Sequence, residues 1–245
     1  MTKQISPRMY RGVLGAEGLT SCTAARHRQA RSAFTLIELI LVVGIIVVLS
    51  GLVLSTVGYA RKKSARARAE TEIAAMSAAL ENYKADNGIY PRDPTANAAT
   101  DRLNAKRDGN PVLNPVPPNP SGATYPSASL VLYRALSGDR NLDRSITTVD
   151  ENFNIDGTTL TPPLTQLPQS YFTFKANMLS PADQSQNVQY VRDPFGNAYG
   201  YSTAFQYDPN TGYNPTFDLW STSGLTSNPP STGTDTITPQ WIKNW

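Results

Sequence analysis

From Phe34 onward the sequence has neither cysteine nor histidine, because the single Cys22 and the single His27 both precede that point. That part of the chain can close no disulfide, build no zinc site of the usual Cys/His kind, and run no Ser–His or Cys–His nucleophilic chemistry. It also lacks a phosphate-binding glycine loop and a convergent pair of carboxylates on a recognisable scaffold. Serine and threonine are plentiful, but a hydroxyl without a base is not a nucleophile. The expectation is a chain that is not an enzyme. A second absence is of charge, since the 22 residues from Leu39 to Ala60 contain no acid and no base. That length crosses roughly 30 Å of hydrocarbon as a helix.

The total charge of +3 suggests a mildly basic protein. However, six of the 22 basic residues and one of the 19 acidic residues lie before Phe34. The remainder holds 16 bases against 18 acids, a net of −2, which removes the case for a nucleic-acid partner. The basic stretch before Phe34 favours retention in the cytoplasm, with the C-terminal part outside. Arg61, Lys62, Lys63, Arg66 and Arg68 stand at the other end of the apolar run and oppose that argument. An ordinary secretory signal fits poorly, because the run is too long and Ser32-Ala33 precedes it instead of following it. A plain anchor has no reason to keep Glu38, and an acid inside an apolar segment costs on the order of 2.5–3.5 kcal/mol.

After the apolar run, Tyr59 to Asp86 is rich in Ala, Glu, Arg and Lys and free of proline, which reads as helix. Ile73, Met76, Leu80 and Tyr83 recur at three- and four-residue spacing and line one face for core packing. Asn87-Gly88 supplies a left-handed stop, with Pro91 beyond it. Continuous from Phe34, such a helix is about 80 Å long at 1.5 Å per residue.

The segment Ala33/Phe34-Thr35-Leu36-Ile37-Glu38 with its apolar tail resembles the processing site of type IV prepilins and type II secretion pseudopilins. Glu81-Asn82-Tyr83-Lys84-Ala85-Asp86-Asn87-Gly88-Ile89-Tyr90-Pro91 and Asp193-Pro194-Phe195-Gly196-Asn197-Ala198-Tyr199-Gly200-Tyr201 resemble stretches of the major, G-type pseudopilin. The resemblance covers about 34–91 and 188–222. It implies an α+β pilin-like fold, in which a long N-terminal helix, membrane-spanning in its first half, packs on a small C-terminal antiparallel sheet. It also implies cleavage between Ala33 and Phe34 by a membrane prepilin peptidase, N-methylation of Phe34, and assembly through Phe34 and Glu38. There the acid neutralises a neighbour's N-terminus. Two positions depart from the family, which usually has Gly where Ala33 stands and often Pro where Ser55 stands.

The implied layout is a leader over 1–33, a transmembrane helix over 34–58, its amphipathic continuation over 59–87 and a periplasmic head over 88–245. The head divides into an insertion over 92–187, the sheet over 188–222 and a C-terminal loop over 223–245. The chain is then a single-pass inner-membrane protein, N-terminus cytoplasmic before processing, serving as a structural subunit of a secretion pseudopilus. Its partners are other copies of itself, minor pseudopilins, the peptidase, the assembly platform and the lipid bilayer. Two other functions compete. One is a minor type IV pilin that binds a surface, DNA or a substrate through the insertion. The other is an unprocessed membrane-anchored domain.

Within the head, Asp193-Pro194-Phe195-Gly196 is a turn with Pro second and Gly fourth, between expected strands at 188–190 and 199–205. Phe217 to Ser221 is expected as the next strand. In the insertion, Ser127 to Leu136 reads as a short helix capped by Ser127 or Ser129, with Leu130, Tyr133 and Leu136 inward. Tyr171 to Phe174 suits a strand or a cover for the core. No cofactor is required, and calcium is the one candidate. Asp139, Asn141, Asp143 and Asp150, with Ser145 and Thr147 between, follow an EF-hand-like alternation, although Arg144 stands where glycine is expected. The family's own calcium loop, after the last strand, corresponds to a segment in which Asp235 is the only acid.

Overall fold

A computed structural model of the chain describes residues 34–93, 99–111, 125–147, 151–230 and 233–245. Its dominant element is α1, Leu36–Asn87. The helix ends where the sequence places its stop: Gly88 takes φ +79°, and its N–H donates to the Lys84 carbonyl at 2.8 Å. The chain forms two compact units, divided between Gly51 and Leu52. In the first, every described residue is exposed, the Leu, Ile and Val side chains of α1 included.

In the second unit, α1 carries a buried stripe: Ala69, Ile73, Met76, Ala79 and Leu80, with Tyr83 at its edge. The 3.6-residue repeat places these side chains on one face. Burying Ile73, Met76 and Leu80 contributes about 1.5–3 kcal/mol each. The stripe meets α3 (Tyr125–Ser137) through Leu132, Tyr133 and Leu136. It also meets the inward side chains of two antiparallel sheets. One pairs β1 (Leu179–Ser180) with β2 (Tyr190–Val191). The other has the order β3 (Gly200–Ser202), β4 (Asp218–Ser221), β5 (Ile242–Lys243).

Strand alternation makes β4 a partition between two cores. Leu219 belongs to the cluster on α1, whereas Trp220 belongs to a second cluster with Leu103, Tyr125, Ala128 and Trp241. Trp220 stacks on Trp241 at 6.0 Å between ring centres and donates its indole N–H to the Tyr125 hydroxyl at 2.8 Å. Gly200 lies opposite Trp220 in the register, and a Cβ there would stand 2.2 Å from the indole. The glycine is required by that close approach.

A polar clamp fixes α1 to the head. Glu72 accepts from Arg68 Nε at 2.6 Å and from the Tyr199 hydroxyl at 2.7 Å. Arg66 reaches the carbonyls of Gln240 and Trp241 at 2.9 and 3.3 Å, tying the C-terminal segment to the same helix.

Several expectations change on the structure. Residues 188–190 and 199–205 do not form a paired hairpin. The chain between them closes the Asp193 turn with one antiparallel bridge, Arg192 with Ala198, while β2 pairs with β1 and β3 with β4. Beyond Ser202 the chain turns into α4, Ala204–Tyr207. Residues 171–174 take the second of their two expected roles: they form no strand, the N–H groups of Tyr171 and Phe172 donate to the Leu136 carbonyl, and the rings of Tyr171, Phe172 and Phe174 cover the core. The insertion helix begins at Tyr125, so neither Ser127 nor Ser129 is its cap. Ser129 instead accepts from the Val191 N–H at 2.9 Å and joins the helix to β2.

Candidate functional site

The site marked out by the sequence is the first turn of α1. Thr35 precedes the helix, and its hydroxyl oxygen accepts from the Glu38 N–H at 3.3 Å. Glu38 Oε2 in turn accepts from the Thr35 N–H at 2.9 Å and from the Thr35 hydroxyl at 2.8 Å. This reciprocal arrangement is a capping box, which satisfies donors that the start of a helix leaves unpaired. Thr35 is a site residue beyond Phe34 and Glu38, and the Thr-x-x-Glu spacing is its signal in the sequence. Phe34 is exposed beside it. Ala33, on the other side of the expected cleavage point, lies outside the described residues. After this turn the exposed residues from Leu39 to Leu54 are uncharged and mostly large and apolar, on a helix long and apolar enough to cross a bilayer.

Of the expected calcium ligands in the insertion, Asp139 and Asp143 do come together, and Glu151 joins them. One oxygen from each lies within 4.8 Å of the others. Asp150 is outside the described residues. Asn141 turns its amide nitrogen toward Asp143 Oδ2 at 3.1 Å, so it offers a donor there and not a ligand oxygen. Both Asp139 oxygens and one Glu151 oxygen are already engaged. Asp139 accepts from the Tyr133 hydroxyl and from the N–H groups of Leu142 and Arg144 at 2.7–2.8 Å. Glu151 Oε2 accepts from the N–H groups of Arg140 and Asn141 at 2.5 and 3.1 Å. These bonds hold a loop in which Leu142 and Arg144 both take φ near +72°. Burial pushes the Asp139 carboxyl above its ordinary value, against the lowering effect of those donors. The cluster therefore serves as the anchor of its own loop. Glu151 was missed because nothing local marks it; the N–H groups it binds lie ten and eleven residues upstream.

Asp235 caps a turn in the segment where the family's calcium loop falls. Its Oδ1 accepts from the N–H groups of Ile237 and Thr238 at 2.9 and 3.1 Å, just ahead of a 3-10 turn at Thr238–Gln240. It joins no group of three acidic, His or Cys side chains among the described residues.

Asp193 organises the turn that the resemblance singled out. Its Oδ1 accepts from the N–H groups of Phe195 and Asn197 at 3.0 and 2.8 Å, and its Oδ2 from the Ser221 hydroxyl at 2.5 Å. That last bond ties the turn to β4.

An apolar, all but uncharged helix start, continuing into a helix that carries a small antiparallel sheet, is the architecture of a pilin-type subunit. Sequence comparison narrows the class. The chain is 36% identical over 65 residues to a type II secretion system core protein G of Klebsiella michiganensis, a match spanning 26% of this chain and 46% of that protein. It is 34% identical over 109 residues to the type II secretion system core protein G of Pseudomonas aeruginosa, spanning 40% of this chain and 74% of that protein. No family model and no solved structure matches the chain. The chain belongs to the family of type II secretion system core protein G, the major pseudopilins.

Proposed function

We propose that this chain is a structural, non-catalytic subunit of a type II secretion pseudopilus. Its leader is removed before Phe34, the new amine is methylated, and subunits are added at the inner membrane with their heads on the periplasmic side. The neighbours in the filament are copies of this chain and minor pseudopilins, and the prepilin peptidase and assembly platform act on it before and during assembly. The carrying observation is Glu38, the one charge in the first 25 residues of α1, held at the free end of the helix by Thr35. Two donors from Thr35 lower the cost of carrying an acid into an apolar segment. When a neighbour's Phe34 amine arrives, the pair offsets the burial of both charges, which neither could bear alone.

Two substitutions separate charge from capping. Glu38→Ala removes both, whereas Glu38→Gln keeps a side chain that can complete the capping box but carries no charge. Both variants are expected to insert into the membrane and fail to form filaments, scored by electron microscopy and by cross-linking of subunits in the host. Normal filaments from Glu38→Gln would leave Glu38 as a helix cap only and overturn the charge-pairing reading.

A further inference from the structure

From Leu39 to Ala69 the chain has five bases, Arg61, Lys62, Lys63, Arg66 and Arg68, and no acid. The head uses two of them. Arg66 holds the Gln240 and Trp241 carbonyls and lies 3.5 Å from Glu70, and Arg68 pairs with Glu72. The side chains of the other three, Arg61, Lys62 and Lys63, are exposed and join no ion pair or hydrogen bond among the described residues. Their i+4 neighbours are Ala65, Arg66 and Ala67, so no acid along the helix can pair with them.

We propose that Arg61, Lys62 and Lys63 form a binding site for anionic phospholipid headgroups, at the end of the apolar segment where the membrane surface lies. The inference rests on reading residues 34–58 as membrane-spanning. The first base follows directly on the uncharged run, within one helical turn of Tyr59, so the three fall at headgroup depth when the run occupies hydrocarbon. Their spacing identifies the partner. Three successive helical residues differ by about 100° each and sweep about 200° of the circumference. A protein face on one side of the helix meets only part of that arc, whereas a headgroup layer surrounds the helix and meets all of it. Long, exposed cationic side chains are also the groups that reach lipid phosphates.

The test uses the full-length chain reconstituted in phosphatidylcholine vesicles carrying trace spin-labelled phosphatidylglycerol or phosphatidylcholine. Electron spin resonance reads the motionally restricted lipid around the protein. The wild-type chain is expected to restrict both lipids and to prefer the anionic one several-fold, with the preference falling in high salt. Arg61→Gln, Lys62→Gln and Lys63→Gln together should bring the two lipids level, each base removed costing up to about fivefold. Arg66→Gln, whose side chain is bound to the head, should leave the preference in place. Restricted lipid without preference in the wild-type chain, or a preference that survives the triple substitution, would overturn the headgroup site and leave the membrane span standing. No restricted lipid at all would overturn the span, and the headgroup site with it.

Discussion

The two ends of α1 are built from the same kinds of residue in the same secondary structure, yet their surroundings are opposite. Ile37, Val47 and Leu54 are 75%, 65% and 75% exposed, whereas Ile73, Met76 and Leu80 are 4%, 0% and 0% exposed. The difference follows from pattern. Before Ala60 the apolar residues run right around the helix, and no single chain of this size has a core to enclose such a rod. After Arg61 they are confined to one stripe, with Arg, Lys and Glu on the remaining faces, and one head is enough to cover a stripe. Helix formation is common to both; what lies against the helix is what differs. A rod that is apolar all round calls for lipid or for other copies of itself.

The sharpest way to break this comparison is to truncate one side chain in each region. Leu80→Ala is expected to destabilise the head by about 2–5 kcal/mol, because it leaves a cavity where α1 meets the sheet. Val47→Ala should leave head unfolding within about 0.5 kcal/mol of the wild-type chain, as surface substitutions do. Near-UV circular dichroism of the detergent-solubilised chain during denaturation measures both. Equal losses would mean that the apolar half is itself part of the head's core.

Glycine gives a smaller contrast, with a change of sign. Gly200→Ala drives a methyl into the Trp220 indole and should cost about 1–3 kcal/mol. Gly51→Ala meets nothing within 4 Å in the exposed helix and should be neutral or stabilise it by up to about 1 kcal/mol. Thermal denaturation followed at 222 nm for the helix and at 290 nm for the tryptophans separates the two. A destabilising Gly51→Ala would show that a neighbour fills that space.

What could be read from the sequence follows the range of the forces involved. The extent of α1, its stop at Asn87-Gly88 and its buried stripe are written in residues within a few turns of one another. The Asp193 turn is equally local, since its carboxylate binds N–H groups two and four residues ahead. Strand pairing was not legible. Strands of two to four residues, such as β1 and β5, are too short to show an alternation, and their partners are chosen by the core they close. The same holds for Glu151, whose place in the Asp139 loop depends on backbone donors about ten residues away. Ser129, expected as a cap, turned out to bond a strand 62 residues on.

The smallest effect expected is in pH. Because α1 has no acidic or basic residue between Leu39 and Ala60, the acid dependence of unfolding belongs to the head. Burial holds the carboxyls of Asp139, Asp193 and Asp218 above their ordinary values. The hydroxyl and N–H donors around them pull the other way: Tyr133, Arg144 and Leu142; Ser221, Asn197, Phe195 and Gly196; Tyr213 and Asn214. A carboxyl with a raised folded value takes up its proton more readily in the folded head than in the unfolded chain. Its contribution to stability therefore grows as pH falls through the folded value toward the ordinary Asp value near about 3.9. Exposed Asp183 acts in the opposite sense. The Ser185 N–H and hydroxyl and the Gln186 amide lower its value, so what it contributes is lost as pH falls through that lowered value, below the window of the buried three. The head's melting temperature should accordingly hold or rise by a few degrees between pH 7 and pH 5, at roughly 2–4 °C per kcal/mol for a chain of this size. A steady fall over that interval would mean that the three buried acids are stabilised as carboxylates by charges they do not touch. Their loops would then be held by ionic bonds and not, as their geometry indicates, by hydrogen bonds that survive protonation of the carboxyl.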